Sequence, residues 1–426
     1  MPLTIIVCGG GVAGLAAAGY LRAHHQVTVL ERGELDFRTD DYGVCIASNA
    51  LGLLQNVGFD VDALDAVPMT HLWLRTNQNE DVDTLDGSGS SAQGGGEKRA
   101  ACVVARKANV LSELLKLATS RRFAGEPARI VAGATVVRVD VRAGAVTTQD
   151  GAEFRGDVIV GADGVGSLVR TSMMRALGSP APPPVKHGLL AFVAPVPVSA
   201  LGGEPSLAFM AAPEARTGLA SFQGDARLGS RQHVLLYHKS TAELQVVGYA
   251  DEKELGVEFD AHNAAVLRGV APQRVVDEFE GRFTDAVCRL FSHGPIDAWR
   301  VRDLDPLPTW TVGKAVLIGD AAHAATPHAG QGCNIAIEDA EALCYLLRCA
   351  RDPGPHLSCV LKQFSDYRKP RAEFVARYSR QVGCVQSDSD KARGEIAEDD
   401  VAVAVYRYQG IDAAMKQVAA YFRDVT

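Results

Sequence analysis

The stretch Lys314-Ala-Val-Leu-Ile-Gly-Asp-Ala-Ala-His-Ala-Ala-Thr-Pro-His-Ala-Gly-Gln-Gly-Cys-Asn-Ile-Ala-Ile-Glu-Asp-Ala-Glu-Ala-Leu-Cys-Tyr345 places a strand, a turn, a loop and a helix in direct succession. Its apolar run predicts a buried strand that ends at a sharp Gly319-Asp320 turn, and a helical pattern begins at Asn334 after a loop rich in Pro and Gly. The Asp320 carboxylate can accept a sugar hydroxyl. The bare amides of 330–334 can face an anion, because the helix dipole favours negative charge at this end.

A second glycine turn lies at the N-terminus. An apolar run at 3–8 is followed by Gly9-Gly-Gly11-Val-Ala-Gly14, a helix of small residues, and a second β run that ends at Glu31. This is a G-x-G-x-x-G fingerprint in the strand, turn, helix, strand and acid order that dinucleotide binding requires. Gly11 lets the backbone approach a pyrophosphate, and Glu31 can bind a ribose diol.

A third corner follows the apolar run at 158–160. There Gly161-Ala-Asp163-Gly164 ends a predicted buried strand, and Ser167 is placed to cap the helix that comes next. Three strands of one chain therefore end in Gly-rich turns, and two of these turns carry an Asp. The alternative is three ordinary and unrelated turns.

Composition excludes several classes of protein. The chain has 426 residues, which predicts two or three lobes, and 47 % hydrophobic with 22 % charged residues is typical of a soluble globular protein. A net charge of −8 argues against a nucleic-acid partner. The nine cysteines form no C-x-x-C pair, so neither a metal site nor disulfides are expected. No apolar stretch is long enough for a membrane span, and a cytoplasmic location fits best.

Strand patterns dominate the middle of the chain. A meander is predicted from runs at 130–141 and 145–149, and Pro180-Ala-Pro-Pro-Pro184 marks a lobe boundary. Beyond this boundary, strands are predicted at 189–193, 206–210, 218–222, 233–237 and 243–249. Helical patterns fill most of the remainder.

The three corners together resemble the three signatures of class A flavoprotein monooxygenases, which have the p-hydroxybenzoate hydroxylase fold. The likeness is greatest to the salicylate-hydroxylase-like branch. It extends through Thr326-Pro327, Gly330-Gln-Gly332, Ile337-Glu-Asp-Ala340 and the closing Tyr367-Arg-Lys-Pro-Arg371, and it covers roughly residues 3 to 384.

The resemblance implies an α/β fold. A Rossmann-like FAD-binding domain, made of a parallel sheet and a β-meander, would comprise residues 1–68, 100–180 and 300–350. An inserted, mostly antiparallel β-sheet substrate domain would comprise 69–99 and 181–299. A C-terminal helical region would comprise 351–426.

The resemblance also implies FAD as the bound cofactor and NAD(P)H as a transient electron donor, since only one dinucleotide fingerprint is present. Glu31 would hold the adenosine ribose, Arg106 the pyrophosphate region, and Asp320 the ribityl or pyrophosphate portion. The full predicted set is Gly9, Gly11, Gly14, Glu31, Arg38, Gly43, Arg106, Asp163, Asp320, Gly330, Gly332, Cys333 and Asn334, with no metal ligand.

The implied reaction is hydroxylation of a phenol-like aromatic substrate by O2 through a flavin C4a-hydroperoxide. Four residues are candidates for the reaction site: Pro327 over the flavin, His328 and Tyr237 facing substrate, and Arg216 as a partner for a substrate anion. His323, by contrast, is expected to make a structural hydrogen bond. The chain would be a monomer or a homodimer.

Two alternatives remain open from the residues. One keeps the flavin but changes the chemistry to alkene epoxidation or to reduction. The other is a non-enzymatic scaffold, although such a protein would have no need of ribose and phosphate ligands such as Glu31 and Asp320.

Overall fold

The computed structural model describes residues 2–37, 41–86, 102–211, 217–224, 231–252, 265–348, 350 and 354–416. Within them the strands are β1 (Thr4–Cys8), β2 (Gln26–Leu30), β3 (Gly43–Ile46), β4 (Val67–Pro68), β5 (His71–Thr76), β6 (Asp81–Asp86), β7 (Val103–Arg106), β8 (Arg129–Val131), β9 (Val136–Asp140), β10 (Ala145–Thr148), β11 (Glu153–Arg155), β12 (Val158–Gly161), β13 (Val185–Pro197), β14 (Gly218–Gln223), β15 (His233–His238), β16 (Glu243–Asp251), β17 (Val266–Val270), β18 (Ile296–Asp303), β19 (Thr311–Val312) and β20 (Ala315–Leu317).

The α-helices are α1 (Val12–Leu21), α2 (Ser48–Gln55), α3 (Lys107–Thr119), α4 (Leu168–Ala176), α5 (Ala208–Ala211), α6 (Pro272–Phe279), α7 (Asp285–Arg289), α8 (Asp320–His323), α9 (Gly332–Leu347), α10 (Pro355–Val382), α11 (Asp388–Ala392) and α12 (Glu398–Val401). Short 3-10 turns at Pro205–Leu207 and Pro327–Ala329 also matter below.

A six-stranded sheet forms the first layer, in the order β19-β20-β12-β1-β2-β8. Strands β20, β12, β1, β2 and β8 are parallel; β8 forms one edge of the sheet, and the antiparallel β19 forms the other. Strands β12 and β20 are buried along their whole length, because helices cover both faces of a parallel sheet. The predicted Rossmann-like α/β region is confirmed, and β9, β10 and β11 form the predicted meander beside it.

The three glycine corners meet at one edge of this sheet. They follow β1, β12 and β20, which are neighbours, and the carboxyl ends of parallel strands lie at the same edge. A Cβ placed on Gly9 would lie 2.4 Å from the carbonyl oxygen of Ala162, and one on Gly319 would lie 2.7 Å from Cβ of Ala13. The corners are therefore in contact through backbone that tolerates no added side chain.

An eight-stranded sheet forms the second layer, in the order β17-β18-β13-β16-β15-β14-β5-β6. It is antiparallel except for the parallel pair of β14 and β5. One face packs on a large apolar cluster with α6 and α7. The opposite face carries a smaller cluster that includes Leu189, Val247, Tyr249 and Val301, and this second face is turned towards the first layer.

Two sequence predictions of secondary structure are wrong. The run 206–210 is not a strand: it forms the 3-10 turn Pro205–Leu207 and then α5, because Leu207 and Met210, three residues apart, are both buried against the second sheet. The run 130–141 is not one strand of the meander. Its start belongs to β8 in the parallel sheet, and Gly133, at φ +69°, turns the chain before β9.

Within the described ranges, no helix combines the length and the apolar content needed to cross a membrane.

The fit of α1 against β1 gives a test of the first corner. A Cβ on Gly14 would lie 1.9 Å from the carbonyl oxygen of Gly9, whereas a Cβ on Gly11 would meet no atom within 4 Å. Gly14→Ala should lower the free energy of unfolding by about 1–3 kcal/mol, because backbone must move to admit the methyl group. Gly11→Ala, the matched control, should cost less than about 1 kcal/mol, because it meets no atom and loses only the preference for Gly over Ala at the N-cap. Equal losses in urea unfolding followed by circular dichroism would contradict this packing.

Candidate functional site

The first corner has an exposed backbone at Gly11 and a carboxylate, that of Glu31, which is held by backbone amides. Glu31, at the end of β2, accepts hydrogen bonds from the amide of Gly10 at 2.6 Å and from the amide of Gly33 at 2.8 Å. Gly11 is exposed, and α1 starts directly after it without a side-chain cap. The helix N-terminus is thus free to receive a phosphate group, with Glu31 placed beside it.

The second element is the turn between β20 and α8. Gly319 has φ +56°, and its amide donates to Oδ2 of Asp339 at 3.0 Å. His323 binds the same oxygen through Nε2 at 2.6 Å, which is the structural hydrogen bond expected from the sequence. Asp320 is exposed, and no described residue hydrogen-bonds its carboxylate, so this group is available to a ligand.

The third element is the start of α9. Gly330 has φ +62°, and no atom would lie within 4 Å of a Cβ added at Gly330 or Gly332. No described residue accepts a hydrogen bond from the amides of Gly332, Cys333 or Asn334, and the helix has no side-chain cap. These amides make a site for negative charge that uses only backbone.

The side chain of Asn334 does not face this opening. It is buried, its Oδ1 accepts from the amide of Ala47 at 2.9 Å, and its Nδ2 donates to the carbonyls of Cys45 and Gly330 at 3.1 and 3.0 Å. Burial raises the pKa of the Cys333 thiol to about 12, so this thiol stays protonated. Both residues can contribute main-chain amides, while Asn334 holds the loop in place.

Asp163, predicted as a cofactor-binding residue, makes several hydrogen bonds within its own turn. Its carboxylate accepts from the Ser167 hydroxyl and from the amides of Leu168 and Val169 at 2.7 and 3.2 Å. Ser167 in turn caps α4 by accepting from the amide of Arg170 at 2.9 Å, as expected. The Asp163 carboxylate is therefore bound within its own turn, at a helix start that attracts negative charge.

Arg106 is also engaged by protein groups. Its guanidinium forms ion pairs with Asp41 and with Glu243, which begins β16 of the second sheet. Lys239 lies 3.2 Å from the same Glu243 and donates to the carbonyl of Asp41. The residue predicted to bind the pyrophosphate region thus joins the two layers, because a half-buried arginine with two carboxylates in reach pairs with both.

Pro327 and His328 lie on a loop held by α10. The Ser379 hydroxyl contacts the Thr326 hydroxyl at 2.8 Å and accepts from the amide of Ala329 at 3.1 Å. Pro327 is exposed. His328 points inwards: its ring centroid lies 4.9 Å from that of Tyr249, and neither buried ring nitrogen has a hydrogen-bond partner. Burial lowers the pKa of His328 to about 3, and the nearby His233 makes a smaller contribution to this shift.

Tyr237 lies on the same face of the second sheet. Its hydroxyl accepts from Nε2 of Gln245 at 2.5 Å, and Oε1 of Gln245 accepts from the amide of Gly43 at 2.9 Å. A Cβ on Gly43 would lie 2.8 Å from the Tyr237 ring. Gly43, predicted as a cofactor contact, is therefore packed against a candidate substrate residue, and burial raises the pKa of the Tyr237 hydroxyl.

Two predicted residues, Arg38 and Arg216, lie outside the described residues. The sequence reasoning missed Ser379, Asp41 and Glu243, whose partners are distant along the chain. Among the residues that support the site, only Glu338 and Asp339 could have been found from the sequence, because they lie in a stretch that the family resemblance covers. In the described part of the chain, no group of three or more His, Cys, Asp or Glu side chains is arranged to hold a metal ion.

The donor set fits FAD. Open amides at two helix starts suit the diphosphate and the electron-rich edge of a flavin, and Glu31 and Asp320 suit sugar hydroxyls. The glycines at 9, 11 and 330 leave a backbone cradle that larger side chains would fill.

The buried His328 predicts how stability depends on pH. Its pKa is about 3 in the folded protein against an ordinary 6.5, so only the unfolded chain binds this proton between those values. Stability should therefore fall as pH is lowered from about 6.5, with a slope of up to about 1.4 kcal/mol per pH unit from this group. His328→Gln should flatten the curve of urea midpoint against pH from 4.5 to 7. His293→Gln, at an exposed site, is the control. Parent-like pH dependence in His328→Gln would refute the assignment.

Comparison with known proteins shows the family of this chain. Residues 3–379 match the model of the family described as the FAD binding domain. Salicylate hydroxylase of Pseudomonas putida is 27 % identical over 395 residues, covering 89 % of this chain and 85 % of the relative. Hispidin-3-hydroxylase of Neonothopanus nambi is 28 % identical over 398 residues, covering 88 % and 87 %.

Solved structures share the fold. A salicylate hydroxylase substrate complex has a TM-score of 0.73 at 22 % identity and covers 96 % of both chains. Klebsiella pneumoniae HpxO in complex with FAD and uric acid has a TM-score of 0.71 at 19 % identity, covering 92 % of this chain and 91 % of that one. The chain belongs to the FAD binding domain family, and it is an enzyme of the class A FAD-dependent aromatic monooxygenases.

Proposed function

We propose that this enzyme uses FAD and NAD(P)H to hydroxylate a phenol-like aromatic molecule with O2. One observation carries the proposal. The loop that leads into the open amides of α9 also bears Pro327 and His328. The His328 ring contacts Tyr249 on the second sheet, and their ring centroids lie 4.9 Å apart. The cofactor cradle and the apolar sheet face are thus directly adjacent.

The bound flavin would take two electrons from NAD(P)H and supply the chemistry of oxygen activation. The chain's own part is to hold charge and exclude water. The amides at the start of α9 would stabilise negative charge on the reduced ring, since they are fixed and need no reorganisation. Leu235, Val247 and Val301 on the opposing face would keep water away from the reacting atoms.

Two side chains are placed to orient a substrate hydroxyl. The neutral His328 ring has nitrogen atoms without protein partners, so it can accept or donate one hydrogen bond to such a group. The Tyr237 hydroxyl is held by Gln245 and lies on the same face of β15 as Leu235. A hydrogen bond from a phenol hydroxyl to His328 would orient the ring that is attacked, while the low pKa of His328 opposes full proton transfer to it.

The relatives support this chemistry. Their names include salicylate hydroxylase, hispidin-3-hydroxylase and a 3-amino-4-hydroxybenzoate 2-monooxygenase of Streptomyces platensis, which is 27 % identical over 398 residues and covers 89 % of this chain and 87 % of that relative. Each name describes hydroxylation or monooxygenation of a ring compound. An epoxidase or a reductase on the same fold is the competing proposal.

We further propose that the two layers are separate lobes, with FAD bound by 1–68, 100–180 and 300–350 and substrate bound by 69–99 and 181–299. Two hydrophobic clusters support this division. One joins the parallel sheet to α1, α3, α9 and α10, and the other lies between the eight-stranded sheet, α6 and α7.

Isotope labelling tests the reaction. With a phenolic substrate, one NAD(P)H should be oxidised for each oxygen atom that enters the product, and mass spectrometry after turnover under 18O2 should find the label on an aromatic carbon. A reductase would consume NAD(P)H without label in the product. Label in an epoxide ring would instead establish the epoxidase.

Asp320 tests the cofactor assignment. Asp320→Asn should weaken FAD binding about 10- to 100-fold, because a hydrogen bond to a charged group is lost. The fold should be unaffected, because the carboxylate is exposed and bonds to no described residue. Asp62→Asn removes a similarly exposed acid at the start of a short helix and should bind FAD like the parent. FAD titration by fluorescence quenching measures both, and parent-like affinity in Asp320→Asn would refute its role.

A further inference from the structure

We propose that the substrate pocket selects an uncharged phenol, one without a carboxylate or other anionic group. This inference rests on the proposed function, and it narrows the substrate class of the same site. It follows from the chemistry of the sheet face that lies opposite Pro327 and His328.

That face is built from apolar and neutral groups. Leu189, Leu235, Val247 and Val301 form its apolar surface, with Trp299 at its side. Among the described residues, the titratable groups at this face include His187, His233, Tyr237, Tyr249, His328, Asp303 and Tyr42, whose ring centroid lies 5.6 Å from that of Trp299.

Burial keeps most of these groups uncharged near neutral pH. It lowers the pKa values of His233 and His328 and raises those of the Tyr237 and Tyr249 hydroxyls. Asp303 is the charged member, and it is matched by Arg380 at 2.6 Å and by His187 at 3.0 Å. Arg380 is shared with Asp305 and Asp390, so it has no spare positive charge for a substrate anion.

At the other end of the face, the Lys107 ammonium donates to the Tyr42 hydroxyl at 3.1 Å, and two further cations are balanced by carboxylates. Arg106 and Lys239 lie beside Gly43, which packs on Tyr237, and they are paired with Asp41 and Glu243. Two positive charges therefore meet two negative ones. A substrate carboxylate would have to compete with Asp41 and Glu243 for these cations, or enter the apolar face, where no described residue supplies a further counter-ion.

Both routes are unfavourable. Moving a carboxylate out of water without a partner costs several kcal/mol, whereas a phenol hydroxyl needs a single hydrogen bond. His328 offers that bond, because its two buried ring nitrogens have no partner in the described structure. The face therefore matches a ring with a hydroxyl and opposes a ring with a carboxylate.

Matched compounds test the inference on the FAD-loaded enzyme. Catechol is compared with 2,3-dihydroxybenzoate, resorcinol with 2,4-dihydroxybenzoate, and 2-naphthol with 3-hydroxy-2-naphthoate. Binding is measured from the change in flavin absorbance, and turnover from NAD(P)H oxidation. In each pair that binds, the uncharged member should bind at least about tenfold more tightly, which corresponds to about 1.4 kcal/mol.

A charge-changing variant tests the cause. Glu243→Gln leaves one positive charge uncompensated beside Gly43, so it should reduce the preference for the uncharged member at least about threefold, by strengthening carboxylate binding. Glu252→Gln is the matched control. Glu252 is similarly exposed and pairs with Arg300, which lies between Trp299 and Val301 in β18 and so on the opposite side of the sheet. This control should keep the parent preference.

The outcomes separate this inference from the proposed function. Equal or tighter binding of the carboxylated members, or binding of no uncharged phenol, would overturn the inference. If the uncharged members bind preferentially but no compound is hydroxylated, the inference stands and the proposed reaction fails. An unchanged preference in Glu243→Gln would show that the ion pairs do not set the selectivity.

Discussion

The carboxylate of Asp339 holds the cofactor side of the protein together. It lies fully buried on α9, where it accepts from the amide of Gly319, from Nε2 of His323 and from the guanidinium of Arg368 on α10. Burial alone would raise the pKa of this carboxyl, but His323 and Arg368 hold it below its ordinary value. A buried charge is tolerated only with such partners, and loss of one of them typically costs 3–5 kcal/mol in proteins, as an order of magnitude. The turn that exposes Asp320 therefore depends on a residue that is itself fully buried.

The neighbouring Glu338 extends the same arrangement to other elements. It pairs with Arg368 and Arg371 of α10 and accepts from Asn49 at the start of α2. Asn334, one turn earlier in α9, fixes the chain at 45–47 by two hydrogen bonds. Helix α9 thus positions the amides at its own start. It also positions strand β3, whose first residue contacts the second sheet. The first turn of the helix leaves backbone amides open, while its interior binds the surrounding elements.

The sequence was sufficient for the corners and the main layers, because their determinants are local. A glycine at a tight turn and an acid at a strand end leave fixed spacings, as in Gly9, Gly14 and Glu31, and three such turns after three apolar runs predict a shared sheet edge. The partners of Arg106 were not predictable in this way. Asp41 and Glu243 lie 65 and 137 residues from it, and no spacing rule connects them. The hydrogen bonds of the Asp163 carboxylate within its own turn were not predictable for another reason. The sequence of the turn Gly161–Gly164 is compatible both with an acid that binds a ligand and with one that accepts from amides at a helix start.

The strand order has a consequence for the synthesis of the protein. β1 lies between β2, which follows it closely, and β12, which is made about 150 residues later, and the β20 corner is translated only after some 310 residues. A nascent chain emerging from the ribosome can pair β1 with β2. It lacks the β12 and β20 corners until most of the polypeptide has been translated. Domains generally mature as complete units during translation. The three corners can therefore come together only late in the synthesis of this chain.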